Sequence, residues 1–432
     1  MAAKDTQLMT FAHLGGAWAP CGQLTLTEEG PRLIASSFAY GMNYLKRPGA
    51  LEVDPVALGI ADKVSVTAKR LLPVAGLAFF GGIRDAAPDA WGRRVIEAKL
   101  KVPANSLPES QYLLHAGSDR VGALDIRSSL EDGPTAGASA WHSLTHLMEA
   151  AGRIDEGLPV PTHLEAIFQG GSALGGARPK ASIRDEQGVL WLAKFASATD
   201  AMDVPTIEAA TLLLAKETGQ CVPPVRTLSL SDRSIMLIQR FDRYWTEAGT
   251  ECRMGFVSGL TMLGCEEAES PHKSYADLAD AIRRYCHSSV IRRDNEELFR
   301  RMVFNIMVTN DDDHLRNHGF VWDPRLGGWA LSPLYDVMPR AAVATERYLH
   351  LGVGPQGRLA SLDNALAWHA KFTLSRAQAC EVIAQVWRVV REWRVYFEQF
   401  GVPTEQMDRV AMAFRHIDSI SSAELRKLLL CV

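Results

Sequence analysis

The stretch Asn310-Asp311-Asp312-Asp313-His314-Leu315-Arg316-Asn317, followed by Leu331-Ser332-Pro333-Leu334-Tyr335-Asp336, decides how this chain is read. Phosphoryl transfer to a hydroxyl needs a carboxylate to orient the acceptor, an amide oxygen five residues later for one Mg²⁺, and a second carboxylate reaching the metal beneath the phosphates. Only Asp312 stands five residues before Asn317, so Asp312 is the expected base and Asn317 and Asp336 the expected metal ligands. Mg²⁺ takes octahedral oxygen ligation shared with nucleotide phosphates, which two or three such side chains supply. The spacing predicts a magnesium-dependent kinase. The plain alternative is a solvated acidic turn with Asp336 as a helix cap.

Working outward, Leu298, Phe299, Met302, Val303, Ile306 and Met307 recur at helical spacing, so a buried helix should end where Asn310 opens the loop. The apolar runs Gly319 to Trp322 and Trp329 to Leu331 flank a Pro- and Gly-containing turn. A hairpin there would carry Asp336 back beside Asn317. His314 invites a metal or catalytic role, but oxygen-favouring chemistry makes it a structural histidine bonding the loop backbone.

A second candidate site begins at Gly170-Gly171-Ser172-Ala173-Leu174-Gly175-Gly176-Ala177-Arg178-Pro179-Lys180, where glycines let backbone N–H groups approach phosphates. It matches neither GxxxxGK[ST] nor GxGxxG, so taken alone it also reads as a surface turn. Ala181 to Arg184 and Val189 to Phe195 flank the turn Asp185 to Gly188, and alternation puts Lys194 on the face of Leu190 and Leu192. An ammonium on an apolar strand face wants an anion, and nucleotide phosphates would supply it. A snorkelling edge lysine is the alternative. After Pro205 a helix should place Glu208 in its first turn, either to pair with Lys194 or simply to complement the helix dipole. The strand Ser234 to Gln239 runs into Arg240-Phe241-Asp242-Arg243, where backbone from Gln239 through Arg240 to Phe241 could hold adenine. Phe241 as ordinary core is the competing reading.

The 432 residues, 47% of them apolar, suffice for two or three domains with large cores. A net charge of −4 and no basic stripe give no long-range attraction to nucleic acid. Seven scattered cysteines without a CxxC pair argue against a disulfide framework or zinc site. No apolar run reaches membrane-spanning length, so cytoplasm is the expected compartment and no membrane partner is expected. The polar, Gly/Pro/Ser-rich stretch from Ser128 to Ser139 reads as a linker. It separates a small α+β module, with strand-like pieces at Gly22 to Leu26 and Leu33 to Tyr40 and a helix at Ala90 to Leu100, from a strand-rich lobe and then a helical one. Near the C-terminus, Ser375 with Gln378 forms a capping box, and Ala379, Val382, Ile383, Val386, Val390, Trp393 and Phe397 form one helical face.

Taken in order, G-G-A-R-P-K, W-L-A-K-F, R-F-D-R, N-D-D-D-H-L-R-N-H-G-F and L-S-P-L-Y-D resemble the HipA-type serine/threonine kinases of bacterial toxin-antitoxin systems. The resemblance covers most of the chain, with Phe79 to Arg94 similar to part of that family's N-terminal module and the D-D-H-x-[KR]-N block its specific signal. It implies an α+β fold with a two-lobed, protein-kinase-like core: residues 1–130 an N-terminal subdomain, 140–240 the small lobe and 241–432 the helical lobe. It implies ATP and Mg²⁺ as cofactors, Asp312 as base, Asn317 and Asp336 on the metal, Gly175, Gly176, Ala177, Lys180 and Lys194 near the phosphates, and Gln239 to Phe241 near adenine. It also implies a protein substrate such as an aminoacyl-tRNA synthetase, growth arrest and persistence, and a HipB-like helix-turn-helix antitoxin through which alone DNA would be met. Family members can autophosphorylate a loop serine, usually seven residues before the loop lysine. That place here is Ala173, and Ser172, the one serine within Gly170 to Lys180, could equally make a plain loop hydrogen bond. The same Asp, Asn and Asp set would serve a small-molecule phosphotransferase, and a catalytically weak, antitoxin-bound corepressor is the other alternative.

Overall fold

A computed structural model describes residues 2–135, 137–172, 175–230 and 233–430. Ala136, Ala173, Leu174 and Cys431 therefore lie outside the described residues. The chain divides into two compact units, each discontinuous in sequence: Met1–Thr199 with Ser229–Cys265 and Phe320–Gly327, and Asp200–Leu228 with Glu266–Gly319 and Gly328–Val432.

Two sheets of the first unit frame the candidate site. One is an antiparallel meander, β1 (Lys4–Leu14), β2 (Ala17–Glu29) and β3 (Arg32–Tyr40), with β4 (Leu124–Arg127) on the free side of β1. Sequence reasoning caught the second half of β2 and nearly all of β3, and missed β1. Leu8, Leu24, Phe38, Tyr40, Phe80, Ile83 and Ile126 meet in one buried cluster behind this sheet. Helix α1 (Ala90–Leu100) falls at its expected place because Asp89 caps it, its carboxylate accepting from the Ala90 N–H at 2.8 Å. In the second sheet β5 (Ser139–Ala140), β6 (Lys180–Arg184), β7 (Leu190–Phe195) and β8 (Arg233–Gln239) lie side by side in that order. The predicted linker thus ends in a strand, β5, parallel to β6. Asp185 builds the β6–β7 turn: its carboxylate accepts from the Val189 N–H at 2.8 Å and its own N–H reaches the Val189 carbonyl at 3.0 Å.

In the second unit, α2 (Val204–Glu217) starts one residue before Pro205, with Asp203 as its cap. Glu208 is therefore its fifth residue, beyond the first turn, and the helix-dipole explanation for it falls away. Helix α3 (Tyr275–Tyr285) packs against α4 (Ile291–Val308), whose buried residues include Leu298, Phe299, Met302, Val303, Ile306 and Met307 as their spacing required. Thr309 in left-handed conformation ends α4 just before the acidic loop. The Ser375 and Gln378 capping box forms, opening α5 (Arg376–Val390). The single C-terminal face is divided: α6 (Trp393–Gln399) is a separate helix, and the break lets Trp393 stack on Phe414 at 3.9 Å between ring centroids.

Candidate active site

The three aspartates after Asn310 have three different surroundings, which sequence alone could not distinguish. Asp313 is 2% exposed, and its Oδ2 accepts from the Tyr275 hydroxyl at 2.5 Å, Asn305 Nδ2 at 2.7 Å and His318 Nε2 at 2.9 Å. Burial opposes its ionisation, but the charge and hydrogen bond of His318, with the Tyr275 hydroxyl, hold its carboxyl below the ordinary range. Asp313 anchors the loop to α3 and α4. Burial pushes the carboxyl of Asp311 up, with the charge of Arg340 pulling the other way. Asp312 is the most outward of the three, its side chain 51% exposed against 38% for Asp311, with Arg340 Nη2 donating to Oδ2 at 2.6 Å.

Asn317 is tied to this carboxylate's own backbone. Its Nδ2 donates to the Asp312 carbonyl at 3.1 Å, which fixes the amide so that Oδ1 is the group left to face a cation. The return of the chain toward this point is also present within the second unit: the Ser332 N–H donates to the Gly319 carbonyl at 2.9 Å, and the Tyr335 hydroxyl to the Arg316 carbonyl at 2.7 Å. Asp336 follows Tyr335 directly, with an exposed side chain and φ of +58°. A left-handed conformation at a non-glycine residue costs about 1–3 kcal/mol and persists where neighbours over-determine it. Here buried Leu334 and Val337 hold both sides.

Two oxygen-bearing side chains, an amide and a carboxylate, suit Mg²⁺, which keeps several waters and shares phosphate oxygens rather than occupying an all-protein cage. Among the described residues no group of three or more His, Cys, Asp and Glu stands together to hold a metal. His314 gives its backbone N–H to the Asp312 carbonyl at 2.8 Å and sets its ring edge-on to His350. Its ring contact supports a structural role.

In the first unit, Lys180 and Lys194 are register partners across β6 and β7, so both side chains share one face, and both are buried. Lys180 Nζ donates to the Gly175 carbonyl at 2.7 Å. Helix α1 holds the same loop from the other side: the Trp91 N–H donates to the Gly176 carbonyl at 2.9 Å, the Gly176 N–H to Asp89 Oδ2 at 3.2 Å, and Arg94 to the Ala177 carbonyl. Sequence reasoning missed Asp89, Trp91 and Arg94 as loop anchors. Ser172 is buried, its hydroxyl donating to the Ala116 carbonyl at 3.1 Å, the arrangement that the loop hydrogen-bond reading expects.

The Arg240 N–H is already given to the Leu190 carbonyl at 3.0 Å. Its guanidinium turns inward, with Nη2 on Asp242 Oδ2 at 2.7 Å, where Arg243 and the Gly122 N–H also converge at 2.7 Å. Burial opposes a charged Asp242, yet the two arginines hold its carboxyl far below the usual range. R-F-D-R is therefore a buried ionic junction, leaving Gln239 and Phe241 for any contact with a base. Phe241 lies 6.2 Å from Phe256 between centroids. Lys194 belongs to the first unit and Glu208, itself buried, to the second.

Residues 172–393 match the model of the HipA-like C-terminal domain. A Sinorhizobium fredii protein named "Putative kinase Y4mE" is 28% identical over 301 residues, spanning 66% of this chain and 69% of its own. A chain from the structure of the Shewanella oneidensis MR-1 toxin-antitoxin complex of HipA, HipB and its operator DNA superposes with a TM-score of 0.64 at 16% identity, covering 98% of this chain and 96% of that one. That likeness shows the fold, the α+β, two-lobed kinase-like class that the sequence predicts.

Proposed function

Because this chain belongs to the family defined by the HipA-like C-terminal domain, we propose that it is an ATP- and Mg²⁺-dependent kinase that phosphorylates serine or threonine hydroxyls on a cytosolic protein. One observation supports the reading: the Asp312 carboxylate faces outward while the Asn317 amide is oriented by a hydrogen bond to the Asp312 carbonyl, as a base and a metal ligand for phosphoryl transfer would need. Functionally, residues 1–130 are an N-terminal subdomain, 140–240 a phosphate-binding lobe and 241–432 a catalytic lobe.

When bound, Mg²⁺ and ATP supply a phosphoryl group whose charge is partly neutralised. The chain's own residues do the rest. Asp312 accepts the hydrogen bond of the acceptor hydroxyl and orients it. Arg340 already occupies Oδ2, which leaves Oδ1 for that contact. Asn317 Oδ1 and the Asp336 carboxylate would hold the metal. Lys180, Lys194 and the Gly175, Gly176 and Ala177 backbone take the phosphates. Two lysines on one strand face support that role, since like charges directly opposite are stabilised by an anion between them. Gln239 and Phe241 border the base.

The relative from Shewanella was solved with HipB and operator DNA, and we propose a helix-turn-helix antitoxin as a partner here, with DNA met only through it. Among the described residues no helix is long and apolar enough to cross a membrane. An aminoacyl-tRNA synthetase is the first substrate to test. Purified protein is incubated with γ-labelled ATP, Mg²⁺ and cell lysate, alongside Asp312→Asn. Label should enter a protein band with the wild type alone, whereas label only in small solutes would point to a small-molecule phosphotransferase.

A further inference from the structure

We propose that a cavity in the second unit, walled by Thr345, Arg347, Ser361, Arg415 and Ser419, is a binding site for a phosphate-class anion, either free phosphate or a small phosphate monoester. The cavity measures about 280 Å³, near the lower end of small-ligand sites. Arg415 is only 8% exposed, yet among the described residues no carboxylate pairs with it. Its Nη2 donates to the Thr345 and Ser419 carbonyls at 2.8 and 3.1 Å. Among the described residues its Nε and Nη1 make no hydrogen bond to protein, and Arg415 lines the cavity.

The second guanidinium supplies no counter-charge. Arg347 spends its donors on neutral oxygens: Ala344 at 3.2 Å, Thr309 Oγ1 at 2.5 Å, and the Ala413, Ala342 and Met412 carbonyls at 3.4, 2.7 and 2.8 Å. The two carboxylates in the wall are engaged elsewhere. Asp363 accepts from the Ser422 N–H at 2.7 Å and hydroxyl at 2.6 Å, and Glu346 from the Tyr348 hydroxyl at 3.2 Å. Neither forms an ion pair with Arg347 or Arg415 among the described residues. Burial first, and then the neighbouring charge of Arg347, push the Arg415 guanidinium down to about 10. A buried cation beside another cation is costly unless an anion joins it, and among the described residues no carboxylate pairs with Arg415. Phosphate oxygens are the acceptors that guanidinium groups prefer. The inference is independent of the nucleotide site, since none of these residues belongs to it.

The probe is inorganic phosphate, with O-phosphoserine as a second arm, added to the full chain in nucleotide-free chloride buffer at matched ionic strength. Phosphate should raise the melting temperature of the wild type and of Lys180→Ala alike, and Arg415→Leu should lose that shift. Arg415→Leu should also melt no lower than wild type without phosphate, because an apolar side chain replaces an unpaired buried charge. Arg415→Lys, which keeps the charge, should retain part of the shift. A response to phosphate alone assigns the site to the free ion, and a response to both probes to monoesters as well. No shift in wild type, or an undiminished shift in Arg415→Leu, overturns the proposal.

Discussion

Truncating Asp313 to alanine should collapse the loop that presents Asp312, and the size of the effect follows from its hydrogen bonds. Three buried donors converge on Asp313 Oδ2. After truncation, Tyr275 and Asn305 keep each other through the 3.2 Å bond from Asn305 Nδ2 to the tyrosine hydroxyl. His318 does not fare as well, because its Nδ1 already lacks a partner and its Nε2 would lose the only one it has. A buried group left unsatisfied costs about 1–3 kcal/mol, and breaking a buried charged pair about 3–5 kcal/mol. We take about 3–5 kcal/mol for Asp313→Ala, a large share of the roughly 5–15 kcal/mol that holds a domain folded. At about 2–4 °C per kcal/mol, the melting transition should fall by roughly 6–20 °C. Asp312→Ala, at a side chain 51% exposed, should stay within about 0.5 kcal/mol of wild type. Calorimetry of the three proteins side by side checks this. Asp313→Ala melting with wild type, or Asp312→Ala melting as low as Asp313→Ala, would refute the division of labour among the aspartates.

Acid should expose the same anchor. The Asp313 carboxyl is held below its unfolded value of about 3.9, so its contribution is complete above about pH 4 and is lost as the pH falls through the lower folded value. A pH series of melts should show that loss in wild type and a weaker one in Asp313→Ala. In the phosphate loop, Gly176 sits at φ of +76° and a Cβ there would lie 2.5 Å from Lys180 Nζ, whereas a Cβ at Gly175 would meet nothing closer than Asp89 Cβ at 3.7 Å. Titration with a fluorescent ATP analogue should therefore find Gly176→Ala at least about tenfold weaker and Gly175→Ala nearly unchanged, with equal effects counting against the loop assignment. Asp336→Gly should gain about 0.5–1 kcal/mol in stability by relieving the left-handed backbone while losing Mg²⁺-dependent nucleotide binding. Stability and binding changing in the same direction would argue against a metal role for that carboxylate.

Local patterns were legible in the sequence wherever one element decides them. The α4 stripe, the β6–β7 turn and the Ser375 capping box are each specified within a few residues. Contacts between distant segments left no such trace. Nothing near Arg340 announces that it meets Asp312, and nothing near Trp91 that its N–H fixes Gly176. Glu208 falls beyond the first turn because Asp203, not Pro205, sets the start of α2, and the C-terminal face is divided because the break at Arg391 serves Trp393 and Phe414 rather than any local signal. Most of the site's charged residues could be named in advance. The spacing to Asn317 already singled out Asp312, whereas the hold of Tyr275, Asn305 and His318 on Asp313 was visible only in the fold.

The most direct measurement sets Asp312→Asn against wild type in two assays on the same preparation, transfer of label from γ-labelled ATP to protein and equilibrium binding of Mg²⁺-ATP. Transfer should fall by a factor of at least about 10² with binding nearly unchanged, since Asp312 serves the acceptor hydroxyl and not the nucleotide. Transfer persisting at wild-type rate in Asp312→Asn would contradict the central assignment.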